Sequence, residues 1–241
     1  TVLKANRYVL ILTLILVVEF IALAFNPHER SAWLLENVLF ALFFSALVFS
    51  YHKFPFSKVS YTLIFIFLLL HEIGAHYTYS LVPYNDWAQW SIGLNINELF
   101  GWQRNHFDRV LHFLYGLLLT YPLREFYFRV ADAKGFWAYF IPLILVMATS
   151  MIYELIEWGA AVMFGGDLAM DYLGTQGDVW DGHKDMALAS LGALIAMLIT
   201  LAINLVIQKD FHREWSESLR IKHPEPLGEE ELKRLLSKDP E

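Results

Sequence analysis

Residues 136–164 read FWAYFIPLILVMATSMIYELIEWGAAVMF, and this stretch decides the fold class. Glu154 and Glu157 are its only charged side chains. A helix that crosses the hydrocarbon core of a bilayer needs ~20 predominantly apolar residues, and this stretch exceeds that length. It therefore predicts a transmembrane helix that carries two carboxylates.

Five further apolar stretches are interpreted as spans. They are Tyr8–Phe25, Trp33–Ser50, Val59–Ser80, His106–Tyr121 and Lys184–Ile207. The first is interpreted as a retained span rather than a signal peptide, because its apolar core is long and more spans follow. The fourth is expected to end before Pro122, where a charged stretch begins. The sequence thus predicts an all-α polytopic membrane helix bundle with six transmembrane helices over residues 1–208, followed by a polar cytoplasmic tail over residues 209–241.

The composition agrees with a membrane protein. Hydrophobic residues make up 56% of the chain, charged residues 18%, and the mean hydropathy is +0.41. Soluble domains are about 45–50% apolar and about 25% charged. The net charge of −7 argues against a nucleic-acid partner bound through a basic face. The absence of cysteine excludes disulfides, cysteine-ligated zinc, iron–sulfur clusters and thiol catalysis.

The distribution of lysine and arginine predicts the orientation. With a cytoplasmic N-terminus, 14 of the 18 basic residues fall on the cytoplasmic side and three on the other side, and Arg109 lies within the fourth span. Basic residues concentrate in cytoplasmic loops. We therefore expect a multi-pass membrane protein with both termini in the cytoplasm (N-in/C-in).

Ionisable side chains recur in or beside four of these spans, although each costs roughly 2.5–3.5 kcal/mol at the bilayer centre. In the predicted topology they all fall in the outer half of the bilayer. They are His71, Glu72 and His76 in the third span, His106, Asp108, Arg109 and His112 in the fourth, Glu154 and Glu157 in the fifth, and Asp178, Asp181 and Asp185 leading into the sixth. Four placements at one level indicate a shared site.

Helical spacing places several of these side chains on common faces, because residues three or four apart on a helix are neighbours. The pairs with this spacing are Glu72 with His76, Asp108 with His112, and Glu154 with Glu157. A helix through Asp178, Asp181 and Asp185 would present all three carboxylates on one stripe.

Charge and ligand type then indicate a divalent metal. The seven carboxylates of this set outnumber the fixed cations Arg109 and Lys184, so several must be protonated or a cation must be bound. Oxygen and imidazole ligands without sulfur suit Zn, Fe, Mn or Mg. The predicted metal ligands are His71, Glu72, His76, Asp108, His112, Glu154, Asp178, Asp181 and Asp185. The predicted catalytic residues are His106 as proton donor or acceptor, Arg109 as partner of a phosphate or oxyanion, and Glu157.

The first functional hypothesis is a metal-dependent membrane enzyme that hydrolyses or transfers a group on a lipid or lipid-linked substrate. A di-iron site that oxidises a lipid chain would use the same ligands. The alternative is an ion- or proton-coupled transporter or channel, since intramembrane acids also mark ion paths. The apolar inner halves of the spans weaken that alternative. A structural subunit would explain the spans but not the acids.

For several residues, a structural or solvent-exposed role is an alternative to a role in the site. His106 and His183 can be interfacial side chains, and Asp167 and Asp171 can be solvated loop residues. The aspartates from Asp178 to Asp185 can be a structural helix start. Glu19 and Glu36 either pair with a basic side chain or join the site.

Four blocks carry a resemblance to a known family. They are His71-Glu72, the stretch His106–His112, the stretch Tyr153–Trp158, and Gln176–Asp181 together with Asp185. In this combination the sequence resembles the YjdF-like bacterial inner-membrane family over most of Tyr8–Ile207. The resemblance implies a multi-pass protein of the bacterial inner (cytoplasmic) membrane and brings no settled activity. A weaker, partial similarity over Tyr153–Gly192 is to the VanZ-like family, which is linked to glycopeptide tolerance.

Overall fold

The structure is a computed structural model that describes residues 6–165, 175–222, 226 and 228–237. Within these residues the regular secondary structure is entirely helical, which confirms the predicted all-α class. The helices are α1 (Arg7–Leu23), α2 (Arg30–Ser50), α3 (Lys58–His76), α4 (Tyr84–Ile92), α5 (Ile96–Phe100), α6 (Phe107–Val130), α7 (Trp137–Phe164), α8 (Asp181–Ile207), α9 (Phe211–Ser218) and α10 (Glu229–Leu236).

Among the described helices, α2, α3, α7 and α8 are long and apolar enough to cross a membrane. The other two predicted spans coincide with α1, which has 17 residues, and with α6, which carries ionisable side chains in its first and last turns. The end of the bundle where α3 ends and α6 and α8 begin is called the site end.

Helix α6 continues through Pro122, so the expected end at Tyr121 is wrong. Membrane helices tolerate proline because neighbouring groups satisfy the freed backbone atoms. The added turns are also held from outside. Glu125 accepts hydrogen bonds from the backbone N–H of Ser57, and Arg129 Nη1 donates to the Pro55 carbonyl at 2.6 Å. The charged stretch that was expected to follow the span is helical and binds the α2–α3 loop.

Helix α3 ends at His76, four residues before the expected end at Ser80. Thr78 and Tyr79 then adopt left-handed backbone angles, with φ of 51° and 53°. The Tyr79 N–H donates to the Gly74 carbonyl at 2.8 Å, and the tyrosine ring lies against Gly74, where a Cβ atom would collide with it. This turn folds Tyr79 back into the bundle.

The expected loop Leu81–Asn105 contains α4 and α5, and α8 begins at Asp181, before the expected Lys184. Asp178 therefore precedes the helix, and the single helical stripe through Asp178, Asp181 and Asp185 is wrong. A short turn is preferred because Asp178 accepts a hydrogen bond from the Trp180 N–H at 3.0 Å. Asp167 and Asp171 lie outside the described residues.

Helices α6 and α8 approach closely along a strip of small residues. A Cβ atom on Gly116 would overlap the Ala189 carbonyl, and one on Gly192 would overlap the Phe113 carbonyl. Small residues allow such an approach between membrane helices. Gly116 follows Asp108 and His112 at intervals of four, and Ala189 follows Asp185 by four. The same faces that pack together therefore carry the ionisable groups toward each other at the site end.

The segment after α8 begins with a packed helix. On α9, Phe211 is buried and Trp215 contacts Phe136 and Tyr139 at the start of α7. The Trp137 indole N–H donates to the Ser218 carbonyl at 2.8 Å. The first part of the expected tail is thus attached to the bundle.

Candidate functional site

Three side chains from α6 and α8 converge at the site end. Asp108, His112 and Asp185 each offer a ligand atom within 4.8 Å of the others. His112 Nε2 lies 3.5 Å from Asp108 Oδ1, one helical turn away on the same face. We call these three residues the triad. It joins two of the sequence blocks that were predicted to share a site.

Glu154 brings α7 to the triad. Its Oε1 lies 3.7 Å from His112 Nε2. Its Oε2 rests against Gly182, where an added Cβ atom would lie 2.5 Å from that oxygen. The glycine between Asp181 and His183 therefore makes room for the Glu154 carboxylate beside the triad.

Two carboxylate oxygens at this point are buried and unsatisfied. Asp185 is 3% exposed, and its Oδ1 has no hydrogen-bond partner among the described residues. The same holds for Glu154 Oε1 within the described part of the chain. Buried polar atoms normally have partners, since an unpaired one costs about 1–3 kcal/mol. Imidazole and carboxylate ligands with unused oxygens fit a divalent cation.

A network of ion pairs lies next to the triad and is called the crown. It consists of Arg104, Arg109, Lys184, Asp178 and Asp181. Arg104 donates to both Asp181 oxygens, at 2.8 and 3.0 Å. Arg109 Nη2 donates to Asp178 at 2.5 Å and to Asp181 at 2.7 Å. Lys184 and the Trp180 N–H donate to Asp178 and hold the pKa of its carboxyl well below its usual value.

Two of the predicted metal ligands, Asp178 and Asp181, belong to the crown. The carboxylates of Asp178 and Asp181 are engaged by arginine and lysine and lie outside the triad. Their negative charge is already balanced, so they gain less from a cation than Asp185 does. Arg109, predicted as catalytic, is a crown residue whose Nε lacks a partner among the described residues.

A second polar group links α2, α3 and α7 through hydroxyls. Glu36 accepts hydrogen bonds from Tyr153 at 2.9 Å and from Tyr79 at 3.4 Å. The Tyr79 hydroxyl also lies 2.7 Å from His71 Nδ1. Glu36 thus pairs with tyrosines, which neither of its two expected roles included. His71 lies in this group and outside the triad.

The remaining predicted residues are distributed around these groups. His76 Nδ1 lies 2.7 Å from the Leu23 carbonyl, so its ring faces the end of α1. Glu72 is fully buried near Glu19 and Glu36, and neither carboxylate oxygen has a partner in the described residues. His106 stacks on Trp102 with ring centroids 4.3 Å apart. Glu157 lies one turn after Glu154 and close to Tyr153.

A cavity of about 700 Å³ opens from these groups into the bundle. Its polar lining residues near the site end are His71, Tyr79, Asp108, His112 and Tyr153. Thr149 and Ser150, about one turn before Tyr153 on α7, also line it. The rest of its wall is predominantly apolar and is formed by α2, α3, α6 and α7. Its volume falls within the ~300–1,000 Å³ typical of small-molecule sites.

Residues 8–205 match the family described as predicted membrane protein (DUF2238). The chain belongs to this family. The inner membrane protein YjdF of Escherichia coli (strain K12) is 35% identical over 194 residues, which cover 80% of this chain and 87% of that protein. The family predicted from the four sequence blocks is therefore confirmed. No solved structure matches the chain.

Sequence reasoning missed two contributors to the family member's site end. The sequence analysis treated Arg104 only as a basic loop residue, although it lies four residues before Asp108. The presence of Arg104 and Arg109 at the same end as Asp178 and Asp181 could have indicated ion pairs. Tyr79 was placed inside a continuous span, and no sequence signal marks the left-handed turn that brings its hydroxyl to His71.

Proposed function

We propose that this family member is a six-span inner-membrane protein with both termini in the cytoplasm. The spans are α1, α2, α3, α6, α7 and α8. The asymmetry of basic residues supports this orientation, and the relative YjdF is named as an inner membrane protein. In this topology the site end lies in the outer half of the bilayer.

The function we propose is metal-dependent hydrolysis or group transfer on a lipid or lipid-linked substrate. The observation that carries it is Asp185, a buried carboxylate with an unpartnered oxygen among the described residues, placed within 4.8 Å of Asp108 and His112. A lipid substrate is supported by the cavity, which has Asp108 and His112 at one end and apolar side chains along its length.

In this proposal Asp108, His112 and Asp185 hold a divalent cation, with Glu154 as the nearest further ligand. Such a cation acidifies a bound water and polarises a carbonyl or phosphoryl oxygen. Glu157, one turn from Glu154, accepts or returns a proton. His106 serves as proton donor or acceptor, and Arg109 can offer its unpartnered Nε to an anionic oxygen while Nη2 stays in the crown.

The transporter alternative is less well supported. An ion path needs polar groups on both sides of the bilayer. Beyond the polar groups at the site end, the cavity wall runs along Leu119, Leu123 and Phe126 on α6 and ends near Phe54 and Phe56. This lining suits a hydrocarbon chain better than an ion.

Metal analysis of the purified protein tests the proposal. We expect a stoichiometric divalent metal, and we expect Asp185→Asn to lower the metal content about tenfold or more by removing one charged ligand oxygen at constant volume. Asp86→Asn, on the exposed face of α4, is the matched control and should keep its metal. Full metal content in folded Asp185→Asn protein, or no metal in the wild type under metal-replete conditions, would contradict the proposal.

A further inference from the structure

The large cavity has one polar end and one apolar end. Its polar end contains Asp108 and His112, in the first turns of α6, and its apolar end reaches Phe126 near the other end of the same helix. At 1.5 Å per residue these positions are ~27 Å apart along the helix axis. The cavity therefore follows most of the ~30 Å hydrocarbon thickness of a bilayer.

The cavity is open on one side, between α2 and α7. Two exposed residues of α2, Phe43 and Ala46, line the cavity. Three exposed residues of α7 also line it, namely Thr149, Ile152 and Ile156. In the proposed topology this opening faces the hydrocarbon core of the bilayer. The molecules that meet an apolar opening there are lipid chains, so an occupant can enter sideways without crossing water.

We propose that the cavity binds a lipid with a long hydrocarbon chain and an anionic oxygen head group, and that the head lies at the triad. This inference deepens the proposed function and rests on it. The apolar walls along α6 indicate a hydrocarbon chain. Its direction follows from the ionisable lining residues His71, Asp108 and His112, which lie at the site end. The anionic head follows from the cation held by the triad, which attracts carboxylate or phosphate oxygens.

Photoaffinity labelling tests chain position directly. The two probes are palmitates with a single diazirine, which lies near the carboxylate in the first probe and at the methyl end in the second. They are applied in detergent to protein whose metal content has been measured. We expect the first to label peptides with His112 or Tyr153 and the second to label peptides with Phe54, Leu123 or Phe126. Unlabelled palmitate or a palmitoyl lysophosphatidate should compete, and the stronger competitor identifies the head group. Methyl palmitate, which lacks the charge, should compete at least about tenfold more weakly.

Two substitutions on α2 give a matched comparison. Ala46→Trp places a bulky ring in the opening and should reduce labelling at least fivefold, on the order of 1 kcal/mol of binding. Ala41→Trp is the same change at an exposed position outside the cavity lining and should leave labelling unchanged. Equal labelling in both variants, label spread over lipid-facing surfaces, or equal competition by methyl palmitate would overturn the inference.

The metal content of the same samples separates the two proposals. Site-specific labelling of a metal-free protein would support the chain site and contradict the metal-dependent function. A metal-loaded protein that shows no competed labelling would retain the metal centre and overturn the chain site.

Discussion

Asp181 and Asp185 lie one turn apart on α8 and are equally buried, yet their environments are opposite. Asp181 accepts hydrogen bonds from Arg104 and Arg109, whereas Asp185 keeps an oxygen without a partner among the described residues. A buried carboxylate that is already paired gains little from a cation, and an unpaired one gains much. We therefore assign Asp181 to the ion-pair network of the crown and propose only Asp185 as a metal ligand.

The role of Arg109 can be tested by Arg109→Lys. Arg109 Nη2 donates to both Asp178 and Asp181. A lysine side chain is one bond shorter and ends in a tetrahedral ammonium group, so it cannot place its donors at the same position. We expect a loss of about 1–2 kcal/mol in the free energy of unfolding with unchanged metal content. Denaturant titration and metal analysis measure the two quantities. Arg213→Lys is the control, since Arg213 is 69% exposed, and loss of metal in Arg109→Lys would place Arg109 in the metal site instead of the crown.

Gly182→Ala tests whether Glu154 contributes to the proposed metal site. The added Cβ atom would meet the Glu154 carboxylate, which ends a flexible side chain and can move away. We therefore expect little change in stability and about tenfold weaker metal binding, measured by competition with a chelator. Gly159→Ala on α7, where an added Cβ atom meets nothing within 4 Å, should bind metal normally. Unchanged affinity in Gly182→Ala would remove Glu154 from the ligand set.

The sequence indicated the site to the extent that helical spacing defines a face. The Asp108–His112 pair was predicted from its interval of four, and its approach to Asp185 followed from the shared depth of the two spans. The positions of Glu72 and His76 could not be predicted in this way. Spacing puts them on one face of α3 but does not say which neighbour that face meets, and His76 is the last helical residue and contacts α1.

At the scale of elements, the contact between α6 and α8 positions the triad. Gly116→Ala would push a Cβ atom into the backbone of α8, which cannot yield as a side chain can. We expect a loss of about 1–3 kcal/mol in stability together with loss of metal, because the helices that carry Asp108, His112 and Asp185 must separate. Thermal unfolding and metal analysis of the same preparation measure both effects. Gly159→Ala, on α7, is expected to be neutral or slightly stabilising, and a Gly116→Ala protein with normal stability and metal would exclude this dependence.

The bounds of α6 show where sequence patterns fail. Pro122 and the charges after it favoured a helix end, because proline interrupts helices in water and charges avoid the bilayer core. The actual helix continues to Val130 because Glu125 and Arg129 find partners on the α2–α3 loop. Those partners are distant in sequence, so local rules do not contain them. The existence of this helix was predictable from its sequence, and its length was decided by tertiary contacts.

At the scale of the whole molecule, the absence of cysteine allows a direct test of the proposed orientation. Ser91→Cys on α4 and Ser216→Cys on α9 are both exposed single cysteines. We expect a membrane-impermeant maleimide to label Ser91→Cys in spheroplasts and to label Ser216→Cys only after permeabilisation. The reverse pattern would place the site end in the cytoplasm, and labelling of both positions in intact spheroplasts would require an even number of spans between them instead of the proposed three.

The left-handed turn at Thr78 and Tyr79 limits which substitutions the protein can accept during evolution. Two consecutive residues with side chains hold angles that glycine would adopt freely, at a cost of order 1–3 kcal/mol each. Glycine at position 79 would relieve the strain but remove the hydroxyl shared by His71 and Glu36. A substitution to glycine at position 79 therefore cannot stabilise the protein and also keep this hydroxyl. Stabilising changes should accumulate elsewhere in the bundle, and this corner should remain the least tolerant of them.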